Sequence, residues 1–197
     1  MKILHTSDWH LGQYFMMKTR ENEHQRFLSW LIEVVSEQKV DVVIVAGDVF
    51  DSASPASYAR KLYADFVVAL QQSYCKQLII VSGNHDSVAV LNESKSLLKA
   101  LNVSVLAGLS EDLSEHIIDI ENDNELVQIC ALPFLRATDV STSEHGLSAQ
   151  QKQMNLQQGI SQTYHDIFEL AEAKKTNKQK TTLATGHLTA VGCSVSE

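Results

Sequence analysis

Four strand-like runs in this chain are each followed at once by polar residues of the kinds that bind metals. The runs are residues 2–7, 40–46, 77–82 and 181–185, and the residues that follow are Asp8-Trp9-His10, Gly47-Asp48, Gly83-Asn84-His85-Asp86 and Gly186-His187. Short apolar runs bounded by glycine are typical of buried strands. Ligand sites in open α/β sheets lie beyond the carboxyl ends of the strands. We therefore expect these polar residues to converge at one edge of a sheet.

Helical patterns alternate with these strands. Apolar residues three or four positions apart predict helices over residues 23–38, 57–72, 92–101 and 150–173. The first helix is predicted to bury the face formed by Phe27, Trp30, Leu31 and Val34. Further strands are predicted at 103–106, 117–120 and 127–132, the last two joined by a turn at 122–125, with loops at 133–148 and 174–180. The pattern predicts an α/β fold in which layered, central mixed β-sheets are flanked by helices.

Charge and composition narrow the classes of function. The formal net charge is −8, which is the wrong sign for a domain that holds nucleic acid by neutralising phosphates. Bound metal ions or a partner would have to supply the positive charge locally. No apolar run reaches membrane-spanning length, and the first residues do not resemble a signal peptide. Three scattered cysteines (Cys75, Cys130 and Cys193) lack metal-binding spacing, which favours a cytoplasmic protein with reduced thiols.

Five of the residues that follow strands form a coherent set of metal ligands: Asp8, His10, Asp48, Asn84 and His187. Carboxylates, imidazoles and an amide oxygen without thiolates suit Mn²⁺, Mg²⁺, Fe²⁺ or catalytic Zn²⁺ better than structural zinc. Asp8 and His10 are predicted to alternate along an extended segment, so that both side chains point to one side. Asp48 is placed to bridge two ions. Two ions about 3.5–4 Å apart can clamp a phosphoryl group for in-line attack.

His85 is predicted to have a separate, catalytic role. In a turn at the end of a strand its ring would project away from the Asn84 side chain and toward the substrate. A protonated imidazole there can stabilise the developing oxyanion or protonate the leaving oxygen. Either Asp86 or Asp51 is predicted to keep that imidazole charged. Each motif alone also fits an ordinary turn or helix cap, so it is their joint occurrence at strand ends that favours a two-metal phosphoesterase.

Several other residues are given structural roles. The remaining histidines are predicted to be core or surface residues: His5, His24, His116, His145 and His165. Trp9, Phe50 and Phe134 are predicted to pack around the site rather than to stack on bases. Arg136 is predicted to form a salt bridge rather than to contact a phosphate.

The four motifs resemble those of the calcineurin-like metallophosphoesterase family, and they occur in the same order. Segments such as ILHTSDWHLGQ, GNHDSVAVLNES and ATGHLTAVG extend the resemblance along the chain, in particular to DNA nucleases of that family. The resemblance implies that Asp8 and His10 bind a first metal, that Asn84 and His187 bind a second, and that Asp48 bridges them. It further implies that His85 acts on the transition state or the leaving group.

The resemblance also implies partners and a cofactor. Such nucleases use two Mn²⁺ ions, with Mg²⁺ as a possible substitute, and act with an ATPase partner as exonucleases and endonucleases on DNA in repair, replication and recombination. They form homodimers within a heterotetramer, for which the helices predicted at 57–72 and 92–101 are candidates here.

One family motif, Gly-His-x-His, is not found in the chain. Residues 1–197 are therefore expected to be the N-terminal part of the nuclease domain, without the DNA-capping region and the ATPase-docking segment, and to be nearly inactive alone. Two alternatives stay open. One is a metallophosphatase or cyclic-nucleotide phosphodiesterase acting on a small substrate, and the other is a non-catalytic, phosphoesterase-like binding module.

Overall fold

The computed structural model describes residues 1–121, 124–140, 146–174, 176 and 178–188. In chain order the strands are β1 (Ile3–Thr6), β2 (Tyr14–Phe15), β3 (Lys18–Thr19), β4 (Val42–Ala46), β5 (Gln77–Val81), β6 (Val103–Leu106), β7 (Ile117–Glu121), β8 (Glu125–Leu132) and β9 (Gln179–Gly186). The helices are α1 (Glu21–Glu37), α2 (Ser57–Leu70), α3 (Val88–Asn92), α4 (Lys95–Ala100), α5 (Ala137–Val140) and α6 (Ala149–Ala173). A 3₁₀ turn, Leu113–His116, precedes β7.

Two sheets pack face to face between outer layers of helices. The first sheet is parallel in the order β1-β4-β5-β6, and the second has the order β7-β8-β9, with β7 antiparallel and β9 parallel to β8. Val42 and Ile44 of β4 face the second sheet, while Val43 and Val45 pack against the helical layer formed by α1 and α2. Burial on both faces explains why β4 is apolar throughout. Because α6 covers the outer face of the second sheet, the predicted α/β layering is confirmed.

The first helix is confirmed, but the prediction of its buried face is partly wrong. Leu31 is buried as expected, whereas Trp30 is 55% exposed. The buried stripe consists of His24, Leu28, Leu31 and Val35. Both stripes have helical spacing, and only the position of the helix over the sheet selects between them. Phe27 lies at the margin of the core, where its ring meets that of Trp9 at 6.0 Å.

Other predicted boundaries shift by small amounts. The α2 residues Leu62, Phe66 and Leu70 are buried as predicted. The helix predicted at 92–101 is found as the shorter α4, and a separate helix, α3, precedes it. The predicted loop at 133–148 contains α5. Residues 122–123 of the predicted hairpin turn, and His145, lie outside the described residues.

Ion pairs hold the polar connector and the first residues of β9. Lys174 pairs with Asp119, Lys178 with Glu121 at 2.7 Å, and Lys180 with Glu172 at 3.3 Å. These ion pairs at the surface are consistent with the predicted loop at 174–180, except that β9 already begins at Gln179. Among the described residues, no helix is both long enough and apolar enough to cross a membrane.

Buried His116 makes folding stability depend on pH. Its Nδ1–H donates to the Ala131 carbonyl oxygen (3.0 Å), and its Nε2 accepts the Ser110 N–H (2.9 Å), so the ring is held neutral. Burial lowers its pKa below the ordinary value of 6.5, although the Ala131 bond opposes the shift. The unfolded chain therefore binds the proton more readily. The stability due to the neutral ring is complete above pH 6.5 and is lost as the pH falls below it.

We expect His116→Gln to flatten this dependence. Urea unfolding of the wild type between about pH 7 and about pH 5 should show a free energy of unfolding that falls more steeply than in the variant. The matched control is His165→Gln, because His165 is exposed on α6. Equal slopes for the wild type and His116→Gln would contradict the assignment.

Candidate metal centre

The first two motifs lie side by side because the pairing of β1 with β4 continues beyond the strands. The backbone N–H of Asp8 donates to Gly47 O at 3.1 Å, and that of His10 donates to Asp48 O at 2.9 Å. Leu11 extends the series with a bond to Val49 O at 2.9 Å. These bonds bring the side chains of two motifs from distant parts of the sequence to the same edge of the first sheet.

The backbone around these ligands is not extended. Asp8, His10 and Asp48 have φ values of 56°, 45° and 49°, in the left-handed region. The predicted alternation of Asp8 and His10 along an extended segment is therefore wrong, and their side chains approach each other from a left-handed backbone. Such conformations cost on the order of 1–3 kcal/mol each and persist where surrounding contacts enforce them, often at functional sites.

Two glycines allow the motifs to approach closely. Gly47 has a φ of +90°, and a Cβ atom at this position would collide with the His187 ring. A Cβ atom at Gly83 would collide with both the carboxylate and the backbone N of Asp48. Glycine at the end of each strand therefore provides space for the neighbouring predicted ligand, and at Gly47 it also allows the left-handed backbone.

Asp48 lies at the centre of the cluster. It is 3% exposed, and its Oδ2 lies 3.6 Å from His10 Nε2 and 3.5 Å from His187 Nε2. Its other oxygen, Oδ1, accepts the backbone N–H of His85 at 3.0 Å. One carboxylate oxygen thus faces an imidazole nitrogen on each side, which is the arrangement expected of a bridging ligand.

The structure brings all five predicted ligands together. Asp8 Oδ1 lies 3.8 Å from His10 Nε2, and Asn84 Oδ1 lies 3.2 Å from His187 Nε2. Potential ligand atoms fall into two groups whose members lie within 4.8 Å of one another: Asp8, Asp48 and His187 in one, and His10, Asp51 and His85 in the other.

The His187 ring is oriented as a ligand. Its Nδ1 lies 2.9 Å from the Ala46 carbonyl oxygen, which can only accept, so Nδ1 carries the proton. In the neutral ring Nε2 then presents a lone pair toward Asp48 Oδ2 and Asn84 Oδ1. A cation between these three electron-pair donors would stabilise their close approach. Metal-binding histidines usually donate the N–H of the ring nitrogen that does not bind the metal, often to a backbone carbonyl, as Nδ1 of His187 does here. The donor set therefore fits a metal ion.

Asp51 was not among the five predicted ligands, yet it contacts two histidines of the site. Its Oδ1 lies 3.2 Å from the buried Nδ1 of His10, a close approach without hydrogen-bond alignment. Its carbonyl oxygen accepts the Nδ1–H of His85 at 2.8 Å. Asp51 thus contacts both the ligand His10 and the predicted catalytic histidine. The Gly-Asp-x-x-Asp spacing was the sequence signal for this residue.

His85 is exposed beside the ligand cluster, and its ring meets that of His10 edge-on at 5.0 Å. The hydrogen bond to the Asp51 carbonyl raises its pKa above the ordinary value, and the nearby Asp48, Asp51 and Asp86 carboxylates add to the effect. Of the two predicted partners of this imidazole, the structure thus places Asp51 against the ring.

Asp86 has a different set of partners. Its carboxylate accepts the backbone N–H groups of Val49 (3.1 Å), Phe50 (2.9 Å) and Gly83 (2.9 Å). Burial raises the pKa of Asp86, and these three bonds counter the shift. The predicted contact with the His85 ring is therefore replaced by contacts with the backbone.

The predicted packing residues are largely confirmed. Trp9 and Phe50 are buried, with ring contacts to Phe66 at 4.9 Å and to Tyr63 at 5.6 Å. Phe134 is half-buried, with its ring centroid 6.2 Å from that of His187.

Two further predictions concern polar side chains outside the cluster. The His5 ring meets the Thr185 hydroxyl at 3.0 Å, which links β1 to β9. Arg136 is exposed, and among the described residues no carboxylate forms the salt bridge predicted for it.

Two facing sheets with the predicted metal ligands at the ends of their strands are the arrangement that the motifs predict for a metallophosphoesterase. Residues 1–196 match the family described as calcineurin-like phosphoesterase, and the chain belongs to that family. Within it, the chain is 47% identical over 197 residues to the SbcD component of the nuclease SbcCD from Escherichia coli K12, an alignment that covers 100% of this chain and 48% of that protein.

Relatives with the same name occur in more distant bacteria. The Rhodobacter capsulatus protein is 39% identical over 148 residues, which are 71% of this chain and 36% of that protein. The Bacillus subtilis protein is 29% identical over 134 residues, which are 68% of this chain and 34% of that protein. The chain spans about half the length of the Escherichia coli relative. The expectation that it is the N-terminal part of the nuclease domain stays a prediction.

Proposed function

We propose that this chain belongs to a DNA nuclease that hydrolyses phosphodiester bonds at a two-metal centre. The main support is Asp48, whose Oδ2 faces a ligand nitrogen from each side of the cluster. Its position at the shared edge fits two ions rather than one. The choice of DNA as the substrate rests on the relatives, which are named as components of a nuclease.

The ligands divide between the two ions. As the family resemblance implies, Asp8 and His10 would hold one ion and Asn84 and His187 the other, with Asp48 serving both. In the structure the Asp8 carboxylate also lies within 4.8 Å of a ring nitrogen of His187, so it faces both positions. When bound, such ions supply positive charge that clamps the phosphoryl group and activates water for attack. The mixed oxygen and nitrogen donors suit Mn²⁺, with Mg²⁺ as a substitute. The positive charge of the ions also lets an acidic chain accept a polyanionic substrate at this edge.

His85 supplies the proton. The Asp51 carbonyl oxygen holds its Nδ1–H, so Nε2 is the ring atom left to face the substrate. In the charged imidazole the Nε2–H protonates the oxygen of the departing DNA strand or stabilises the charge that develops on the phosphoryl oxygens. Its position at the exposed border of the cluster leaves room for a strand of DNA.

The relatives' names also indicate the assembly. They describe one component of a nuclease called SbcCD, and we propose that the full-length protein works with an SbcC-type ATPase in the cytoplasm. In that assembly it would act as an ATP-dependent double-strand exonuclease and as a single-strand or hairpin endonuclease in DNA repair, replication and recombination. The proposed homodimer, within a heterotetramer, would use α2 and α4, the helices that correspond to the predictions at 57–72 and 92–101.

Two substitutions test the roles of metal ligand and proton donor separately. In the full-length gene product we expect Asp8→Ala to weaken Mn²⁺ binding and to lower cleavage of linear duplex DNA through that loss. His85→Gln should keep Mn²⁺ bound and lower turnover by about 10²–10⁴-fold, the usual contribution of a positioned acid. Calorimetric Mn²⁺ titration and single-turnover cleavage measure the two effects.

His165→Gln is the control for a histidine substitution, because His165 is exposed on α6. Equal loss of Mn²⁺ in Asp8→Ala and His85→Gln would contradict the separate role of His85. The same preparations distinguish the proposed nuclease from its alternatives. Efficient hydrolysis of a cyclic nucleotide or a phosphomonoester, with DNA left intact, would favour the small-substrate enzyme, and failure to bind Mn²⁺ would favour the binding module.

A further inference from the structure

Asp86 is a buried carboxylate that the chemistry of phosphodiester cleavage does not use. Asp86 is 2% exposed, and its two carboxylate oxygens accept hydrogen bonds from three backbone N–H groups. Val49 and Gly83 donate to Oδ2, and Phe50 donates to Oδ1. A carboxylate that accepts several backbone N–H groups makes charge-assisted bonds, which are about twice as strong as neutral ones.

These donors belong to the segments that carry the metal ligands. Val49 and Phe50 directly follow the bridging ligand Asp48, and Gly83 directly precedes Asn84. Asp86 therefore joins the loop after β4 to the loop after β5. The opposite bond also exists, because Asp48 Oδ1 accepts the backbone N–H of His85 at 3.0 Å. Each loop thus places a carboxylate on the backbone of the other.

We propose that Asp86 is a positioning residue for the metal centre: it fixes Asp48 relative to Asn84, so that the ligands of the two ions are held at the correct separation. This inference rests on the proposed two-metal function. Asp86 acts through the backbone of both loops, and the ring nitrogen of His85 is held by the Asp51 carbonyl oxygen rather than by Asp86. Loss of such an outer partner commonly costs about 10–100-fold in metal affinity.

The hydrogen-bond pattern requires a carboxylate rather than an amide. Three N–H donors converge on two oxygens, and both oxygens must accept. An asparagine has one oxygen and one NH₂ group, so at least one backbone N–H would face another donor. Asp86→Asn nevertheless fills the same space and retains part of the bonding. Asp86→Ala would leave all three buried N–H groups unpaired, which makes it the less informative variant for metal binding.

The test is a Mn²⁺ titration of the full-length gene product and of its Asp86→Asn variant, with unfolding measured separately in EDTA. We expect the Mn²⁺ dissociation constant to rise about 10–100-fold, and excess Mn²⁺ to restore most of the lost DNA cleavage. Asp41→Asn is the matched control. Asp41 also accepts a backbone N–H, from Lys2 at 2.8 Å, but at the far end of β4, so this variant should lose stability and keep its Mn²⁺ affinity.

Two results would overturn the assignment. Unchanged Mn²⁺ affinity with turnover that stays low in excess Mn²⁺, as expected for His85→Gln, would mean that Asp86 acts through the histidine. Reduced stability in EDTA with unchanged Mn²⁺ affinity of the folded protein would mean that Asp86 only supports the fold. A wild-type protein that binds Mn²⁺ but cleaves no DNA would refute the proposed nuclease, and the effect of Asp86→Asn on Mn²⁺ affinity could still be measured.

Discussion

Asp48→Ala is expected to abolish Mn²⁺ binding at both positions and to lower DNA cleavage on the order of 10⁴-fold or more, because the two ions act as one catalytic unit. Asp48 Oδ2 lies 3.6 Å from His10 Nε2 and 3.5 Å from His187 Nε2, so both halves of the centre lose the same oxygen. The variant also loses the Oδ1 bond that holds the backbone of His85. No other ligand is expected to have so large an effect.

The number of bound ions decides whether Asp48 bridges. Elemental analysis of the dialysed, Mn²⁺-loaded protein should give two ions per chain for the wild type and none for Asp48→Ala. One retained ion would show that Asp48 serves a single position and would contradict the bridging assignment. Asp166→Asn is a suitable control, because Asp166 lies on α6 and accepts a hydrogen bond from Gln162 on the same helix. It should retain both ions and full cleavage.

Gly83→Ala is expected to have the largest effect on folding, with a loss of about 3 kcal/mol in the free energy of unfolding, near the upper end of overpacking substitutions. The added Cβ would overlap the Asp48 carboxylate and backbone N, and its separation from Asp48 Cγ would be only 2.7 Å. Asp48 cannot retreat, because its backbone C=O accepts the His10 N–H at 2.9 Å. The methyl group would therefore displace the bridging ligand as well as the strand end.

Gly108→Ala provides the comparison for this steric effect. Its Cβ would meet Val88 Cγ1 at 3.4 Å, an ordinary contact, so the free energy of unfolding should change by no more than about 0.5 kcal/mol. Urea denaturation in EDTA measures both variants without a contribution from bound metal. If Gly83→Ala matched Gly108→Ala in stability and kept wild-type Mn²⁺ affinity, the close approach of the two loops would not be essential.

The strands and the kinds of ligand could be predicted from the sequence because they are local properties. A continuous apolar run such as β4 must be buried on both faces, and that requirement places it inside a layered α/β fold. Carboxylate, imidazole and amide side chains directly after such runs then lie at one edge, whatever the details of the loops. This reasoning correctly brought together Asp8, His10, Asp48, Asn84 and His187.

The partners of each side chain were decided only by the tertiary structure. Asp86 stands next to His85 in the sequence, yet it bonds to Val49, 37 residues away, and His187 is oriented by Ala46, 141 residues away. The left-handed backbone of Asp8 and His10 is likewise imposed by hydrogen bonds to the neighbouring loop. Sequence determines which chemical groups reach the edge of the sheet. Which groups face one another depends on the paths of several loops at once, because directional hydrogen bonds form only where those paths meet.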